Sequence, residues 1–458
     1  MEILNSIKQY LDAFFAFKAY IMLPVIILII ALIIRMRIKD ALLSTVRLAA
    51  GFAGIFISFD FFVAQIRPAV KAIVELRGLN YPVLDVGWPP LAAITWGSWI
   101  APLSIPVIIF INFLMLSTGT TRTLDIDIWN YWHLALPGAF VLGATGSPVL
   151  GLLAVVLVTV YHLKTADWSG VYVEEGVGLK GMTVSPLSVS GLVPLGATFD
   201  KLWDRIPFLK NWNYNPEEKG TDPGLLGEPM VIGLLVGAIL GIAAGYPAKE
   251  ILELSVHIAA VMFLLPKSGS LIGEGMEPVS RTLKEKIQKR FDGKEHLFIA
   301  LDTGMLMKHK SVVITGLILM PISLILAGII PGNRVIPLGD LPNLISVISI
   351  IVLVHRGNVI RGVLTGIPLV AIYLFISSSL AEMITRLSGS VGMHFGDDQL
   401  ITAFTDGGNP VRWWILRLFE GNFIAIILIP IVFGMLYIAR REALKREKNY
   451  RLKSEKAL

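Results

Sequence analysis

The chain has 458 residues, of which 54% are hydrophobic and only 16% charged, whereas a soluble chain of this length carries about a quarter charged residues. It has no cysteine, which excludes disulfides, thiol catalysis and thiolate metal sites within the polypeptide. Its formal net charge of +6 is what lysines and arginines retained on the cytoplasmic side of a membrane produce, and it does not call for nucleic acid.

Charge-free apolar runs occupy residues 19–34, 104–116, 149–160, 312–330 and 423–438. A helix needs about 20 apolar residues to span a bilayer, and the alternating pattern of a transmembrane β-barrel is missing. The expected fold is therefore an all-α polytopic membrane protein. Eleven crossings are predicted, at about 19–36, 42–64, 97–117, 133–148, 149–164, 226–245, 250–266, 311–331, 341–355, 359–380 and 422–439. Two stretches, Thr165–Leu225 and Ala381–Gly421, are too apolar for plain loops and too broken to span. Re-entrant hairpins fit them, since non-helical backbone at membrane depth must be buried in protein or line a cavity. No cleavable signal stands out at the amino terminus. Val279–Phe291 repeats apolar residues every four positions among lysines, and is expected to be an amphipathic helix at the membrane surface or a docking surface for a soluble partner.

The first half of the chain recurs in the second. IKDALLSTVRLAAG around Lys39 is echoed 210 positions later by AKEILELSVHIAAV around Lys249. Asp85-Val-Gly87 recurs as Asp302-Thr-Gly304, and Asp127-Ile-Trp-Asn130 as Asp340-Leu-Pro-Asn343. Residues 1–225 and 226–421 form the two expected repeats, and 422–458 hold a last crossing and a basic tail. The segment after the second crossing carries three basic residues, Arg67, Lys71 and Arg77; its counterpart carries nine. Basic charge changes sides, so the repeats are expected to be inverted, with the amino terminus outside and the carboxyl terminus cytoplasmic. Such duplications place a substrate site at the repeat interface of a transporter.

Several groups bear on that site. Asp85, Gly87 and Trp88 set an acid beside a forced helix break, and Asp302 repeats it; an exposed external loop is the plainer alternative. Asp125-Ile-Asp127-Ile-Trp-Asn130-Tyr131-Trp132-His133 combines carboxylates, ring faces and a histidine, which suits a polyol whose C–H faces stack while its hydroxyls seek acceptors. Tryptophan and tyrosine also gather at bilayer interfaces without binding anything. Glu174 and Glu175 precede the first hairpin, Asp397 and Asp398 the second, and Asp406-Gly-Gly-Asn409-Pro410 marks a turn. Glu228 reads as a helix cap and His355 as a group at a cytoplasmic helix end. No phosphate-binding GxxxxGK[ST] loop and no HExxH set occur, so neither ATP hydrolysis, a metal nor a resident cofactor is expected.

In their order, DVGWP at Asp85–Pro89, DIWNYWH at Asp127–His133, GEP at Gly227–Pro229, PGNRVIPLGDL at Pro331–Leu341, HRGN at His355–Asn358 and DGGNP at Asp406–Pro410 resemble the IIC membrane component of the galactitol family of the bacterial phosphoenolpyruvate-dependent phosphotransferase system. The resemblance covers nearly the whole chain. It implies a homodimer in the inner membrane with a fold like the ascorbate transporter, in which a core domain moves against a dimerising part in an elevator-like way. It also implies a IIB partner, charged through IIA, whose phosphocysteine phosphorylates the substrate on uptake. The sugar site then maps to Asp85, His133, Asp302 and the regions Glu174–Ser185 and Asp406–Pro410. Where close galactitol relatives are expected to show a His-Gly-Thr-like tip, this chain has Lys180-Gly181-Met182-Thr183, which leaves another polyol open as substrate. The residues alone equally allow an ion-coupled secondary transporter; an intramembrane enzyme or scaffold does not account for a duplicated pair of interrupted helices.

Overall fold

The computed structural model describes residues 19–77, 81–98, 100–125, 127–217, 229–290, 297–390 and 400–457. Helix α1 (Ala19–Ile33) leads into the 40-residue α2 (Ile38–Arg77), then strand β1 (Val83–Asp85), α3 (Trp88–Gly97) and α4 (Ile100–Ser117). Strand β2 (Thr123–Leu124) and a 3-10 turn (Ile128–Tyr131) open α5 (Trp132–Thr145). Helix α6 (Pro148–Val177), β3 (Met182–Val184), one helical turn (Leu187–Ser190) and α7 (Val193–Asp204) follow. In the second half come α8 (Pro229–Ala243), the 43-residue α9 (Ala248–Arg290), β4 (Phe298–Leu301), a 3-10 turn (Thr303–Lys308) and α10 (Lys310–Ile329). Next are β5 (Val335–Ile336), a 3-10 turn (Leu341–Asn343), α11 (Leu344–Val354), α12 (Val359–Ser390), β6 (Leu400–Thr402), α13 (Pro410–Phe419) and α14 (Phe423–Ala457).

The strands form two parallel three-stranded sheets, ordered β5-β1-β6 and β2-β4-β3. The first takes its centre from the first half of the chain and both edges from the second; the other reverses this. Val83 pairs with Val335 and Leu400, and Asp85 with Thr402. Ile299 pairs with Leu124 and Met182, and Leu301 with Val184. The backbone groups that helix interruptions release in an apolar interior thus bond strand to strand. Neither sheet is complete without both halves.

Four helices among the described residues are long and apolar enough to cross a membrane: Pro148–Val177, Lys310–Ile329, Val359–Ser390 and Phe423–Leu452. Shorter apolar helices run over Leu103–Ser117, Gly233–Ala243 and Leu341–Val354. Every residue of α11 is buried, as are Trp132–Val141 of α5; helices apolar all round belong inside. At the opposite extreme, the spanning window of α14 is 11% buried, against 50% to 56% for the other three. Helices α5 and α11 are therefore central, and each opens where a 3-10 turn follows an edge strand.

Several predicted boundaries shift. Val279 belongs to the continuous helix α9 and not to a separate surface helix; its lysine-rich end simply continues the helical hydrogen bonding past the apolar part. Helices α6 and α12 run on through Val177 and Ser390, so the broken stretches begin later than Thr165 and Ala381. The sheets are an addition to an all-α expectation. Phe291, Gly227, Glu228, Asp397 and Asp398 lie outside the described residues.

Candidate functional site

Two carboxylate clusters flank the starts of α5 and α13. In the first, Asp85 is buried and its two oxygens accept four backbone N–H groups: Gly87 at 3.1 Å and Phe404 at 2.9 Å on Oδ1, and Leu338 at 2.8 Å and Asp340 at 3.0 Å on Oδ2. A carboxylate offers about four acceptor positions, so all are filled. Asp340, fully buried, accepts from the Trp88 N–H at 2.6 Å and from the Thr405 N–H and hydroxyl at 3.0 and 2.8 Å. Gly339 permits this clasp, because a Cβ there would fall 2.5 Å from the Asp85 carbonyl oxygen. Gly87 has φ 79° and turns the chain into α3.

Beside it stands the tip that carries DGGNP. The Asn409 Oδ1 caps α13 by accepting from the Val411 and Arg412 N–H groups at 3.0 and 3.2 Å, with Pro410 opening the helix. Gly408 lies so close to its neighbours that a Cβ would sit 2.4 Å from the Phe404 carbonyl oxygen and 2.6 Å from that of Tyr373. One turn on, the guanidinium of Arg412 is fully buried and donates to the Asp406 carboxylate at 2.9 Å and its carbonyl at 2.5 Å. It also donates from Nη2 to Nδ1 of His133 and from Nε to the His133 carbonyl at 3.4 Å. That carbonyl is available because Pro137, four residues on in α5, has no N–H to offer it. Buried charge is costly unless paired, and the Arg412–Asp406 pair leaves this part of the site neutral.

Trp132 stacks on His133 with ring centroids 3.9 Å apart, and on Trp88 at 6.4 Å and 15°. Arg412 lies 5.2 Å over the Trp132 ring, a favourable place for a cation. The Trp132 Nε1, Asn409 Nδ2 and Tyr373 hydroxyl are buried without a hydrogen-bond partner among the described residues. Orphaned buried donors of this kind are rare in folded proteins and often mark a place where a ligand or water completes the bonding.

The second cluster joins Asp302 to the β2 loop. Asp302 is half-buried and accepts from the Gly304 N–H at 3.0 Å and from Asn130 Nδ2 at 3.0 Å, leaving acceptor capacity unused among the described residues. Asn130 also donates to Asp127 at 2.8 Å, and the Ser185 hydroxyl donates to Asp127 at 2.9 Å. His162, fully buried, bridges Asp125 at 3.2 Å and Ser190 at 2.8 Å. Asn130, three residues before His133, ties Asp302 to the turn that opens α5, which relates the two clusters.

The predicted site residues thus fall into three settings. Asp85, Gly87, Trp88, His133, Asp406 and Asn409 gather in the first cluster, with Asp302 nearby in the second. Glu174 and Glu175 lie at the end of α6, where Glu175 pairs with Arg446 of α14. His355 is also outside the first cluster, bonded to Asp200 at 3.0 Å and Thr365 at 2.9 Å, with Arg361 on the same Asp200. Sequence reasoning overlooked Arg412 and His162. The signal for Arg412 was present: a charged residue between Val411 and Trp413 in an apolar segment is a functional-site hypothesis by default.

An integral membrane protein whose two halves interleave around hydrogen-bonded carboxylates, stacked aromatics and, among the described residues, unpaired donors has the makings of a carrier for a polar, uncharged solute. The chain belongs to the family of PTS system sugar-specific permease components (EIIC-GAT), which it matches over residues 13–399. It is similar to the PTS system galactitol-specific EIIC component of Escherichia coli K12 and to that of Escherichia coli O157:H7, each 32% identical over 418 residues, covering 91% of this chain and 92% of theirs. A permease IIC component of Escherichia coli K12 is 34% identical over 424 residues, covering 92% of this chain and 97% of its own. The protein is accordingly a phosphotransferase-system permease of the inner membrane, and EIIC components of that system work with IIA and IIB partners.

Proposed function

We propose that this permease carries a sugar alcohol of the galactitol kind, and that a phosphorylated IIB partner phosphorylates it on uptake. In the transfer, the S–P bond of the partner's phosphocysteine breaks as a bond forms from phosphorus to a substrate hydroxyl oxygen, and the hydroxyl's proton leaves with the partner's cysteine as its thiol. The observation that carries the reading is the polar centre around His133, where, among the described residues, Asp302 keeps open acceptor positions and Trp132 and Asn409 keep unpaired donors. A polyol presents hydroxyls for both and C–H faces for the Trp88–Trp132–His133 rings. The naming of two relatives for galactitol supports the substrate class.

In this reading Asp302, His133, Trp88, Asp406 and Asn409 surround the sugar. Asp85 and Gly87 hold the backbone that presents Trp88, and Glu174 and Glu175 stand outside the binding centre. The two halves are inverted repeats with eleven crossings and two re-entrant hairpins, the amino terminus outside and the carboxyl terminus cytoplasmic. The reciprocal exchange of central strands between the sheets supports this arrangement, as does the switch of basic charge between the halves. A homodimer with an elevator-like core follows the ascorbate-transporter resemblance. The test is to incubate membranes holding the protein with phosphorylated IIB and a panel of labelled polyols. A phosphorylated polyol is the expected product; uptake that needs no IIB and ends with an uncoupler would overturn the mechanism.

A further inference from the structure

The pairing of His133 with Arg412 has a consequence for the chemistry of the imidazole. A guanidinium carries only N–H donors and no acceptor. The ring nitrogen that faces Arg412 Nη2, Nδ1 of His133, must therefore present its lone pair. In the neutral ring the proton is then on Nε2, which has no protein partner among the described residues. The ring is held in place from three sides. Trp132 stacks on its face, Arg412 Nε takes the backbone carbonyl freed by Pro137, and Asp406, 3.4 Å from Nδ1, is itself bonded by Arg412 at 2.9 Å. The charged groups facing the ring are Arg412 and Asp406 from the tip before and within α13, and Asp302 from the turn after β4.

We propose that Arg412 is a positioning residue that fixes His133 as its Nε2–H tautomer, so that His133 serves the substrate as a hydrogen-bond donor and takes no proton from the hydroxyl to be phosphorylated. His133 then joins Trp132 Nε1 and Asn409 Nδ2 as a donor to substrate oxygens, while acceptance from substrate hydroxyls falls to Asp302. The tautomer rests on the contact of Arg412 with His133 Nδ1; its use in sugar binding rests on the polyol reading above.

The tautomer is measurable without substrate. The full-length protein, labelled with 15N-histidine in lipid bilayers at neutral pH, gives ring signals for its seven histidines, and the His133 pair is assigned by its loss in H133Q. The expected pattern is a bare Nδ1 and a protonated Nε2; a protonated Nδ1 overturns the proposal, whether or not any variant folds. In R412M the His133 signals should divide between the two tautomers, because Nδ1–H can then donate to Asp406. R412K, which retains a donor beside Asp406, should lie between R412M and the parent. A merely structural arginine would lower the melting temperature while leaving the tautomer of the folded fraction unchanged, and that result also overturns the assignment. Adding galactitol separates the two claims. Calorimetric binding with a shift at His133 Nε2 supports the donor role, and binding without such a shift overturns it. No binding by any polyol in a panel, together with no phosphorylated product, overturns the substrate reading and leaves the tautomer to its own spectrum.

Discussion

Asp85 and Asp340 clasp each other through backbone amides. The Asp340 N–H donates to Asp85 at 3.0 Å, and the N–H of Trp88, three residues beyond Asp85, donates to Asp340 at 2.6 Å. Each half of the chain thus supplies the carboxylate that closes a turn of the other. Removing one charge from this clasp is expected to act on stability before it acts on binding. In D85N an amide NH₂ would face backbone N–H donors, so that two of four charge-assisted bonds are lost. Bonds of this type contribute roughly 1.5–3 kcal/mol each, which predicts destabilisation of about 3 kcal/mol or more. Thermal unfolding in detergent checks it; an unchanged melting temperature would remove Asp85 from this role.

Asp302 occupies the matching position in the second half and is expected to behave differently. It uses two of its acceptor positions and is half-buried. D302N should therefore melt close to the parent protein yet bind polyol more weakly, by about tenfold to a hundredfold for one charge-assisted bond. Calorimetric titration with galactitol reads the affinity. Equal affinity in parent and variant would place the substrate elsewhere.

The positions of the chain breaks were legible because their punctuation is local: Asp85-Val-Gly87, Asp302-Thr-Gly304 and Asp406-Gly-Gly-Asn409-Pro410 all announce interrupted helices. The strands beside them were not, since two to four apolar residues in an apolar chain show no period that separates strand from helix. The contrast between Asp85 and Asp302 was equally hidden. Their local sequences match, but how full each carboxylate is depends on amides brought by strands more than 200 residues away. Arg412 escaped notice for a related reason: its partners, Asp406 and the His133 carbonyl, come from a turn and from a proline-broken helix bond in the other half.

Gly408 is predicted to be intolerant of a methyl group. The contacts a Cβ would make, 2.4 Å from the Phe404 carbonyl and 2.6 Å from the Tyr373 carbonyl, are with backbone atoms that cannot swing aside. G408A should displace the tip that carries Asn409 and Arg412, at a cost of about 1–3 kcal/mol from overpacking. Its polyol phosphorylation in membranes with phosphorylated IIB should fall by at least tenfold, while G434A, in a helix where nothing lies within 4 Å of the added atom, should remain within twofold of the parent.

Glu175 and Arg446 give the last contrast, because the two ends of one ion pair have unequal surroundings. Glu175 is on the surface with Arg446 as its partner, and surface pairs contribute about 0–1 kcal/mol. Arg446 does more: it donates to the carbonyls of Val354 at 2.7 Å and Leu353 at 3.3 Å, closing the end of the wholly buried helix α11, and its guanidinium lies 4.9 Å over the Tyr172 ring. Helix ends leave carbonyls that need partners. E175Q should thus change stability by less than about 1 kcal/mol and leave polyol affinity intact, whereas R446A should lose roughly 1–3 kcal/mol by stranding those carbonyls. Melting curves for both variants, with galactitol titrations alongside, test the ordering. A large loss of affinity in E175Q would return Glu175 to the binding centre and break the separation drawn between it and His133.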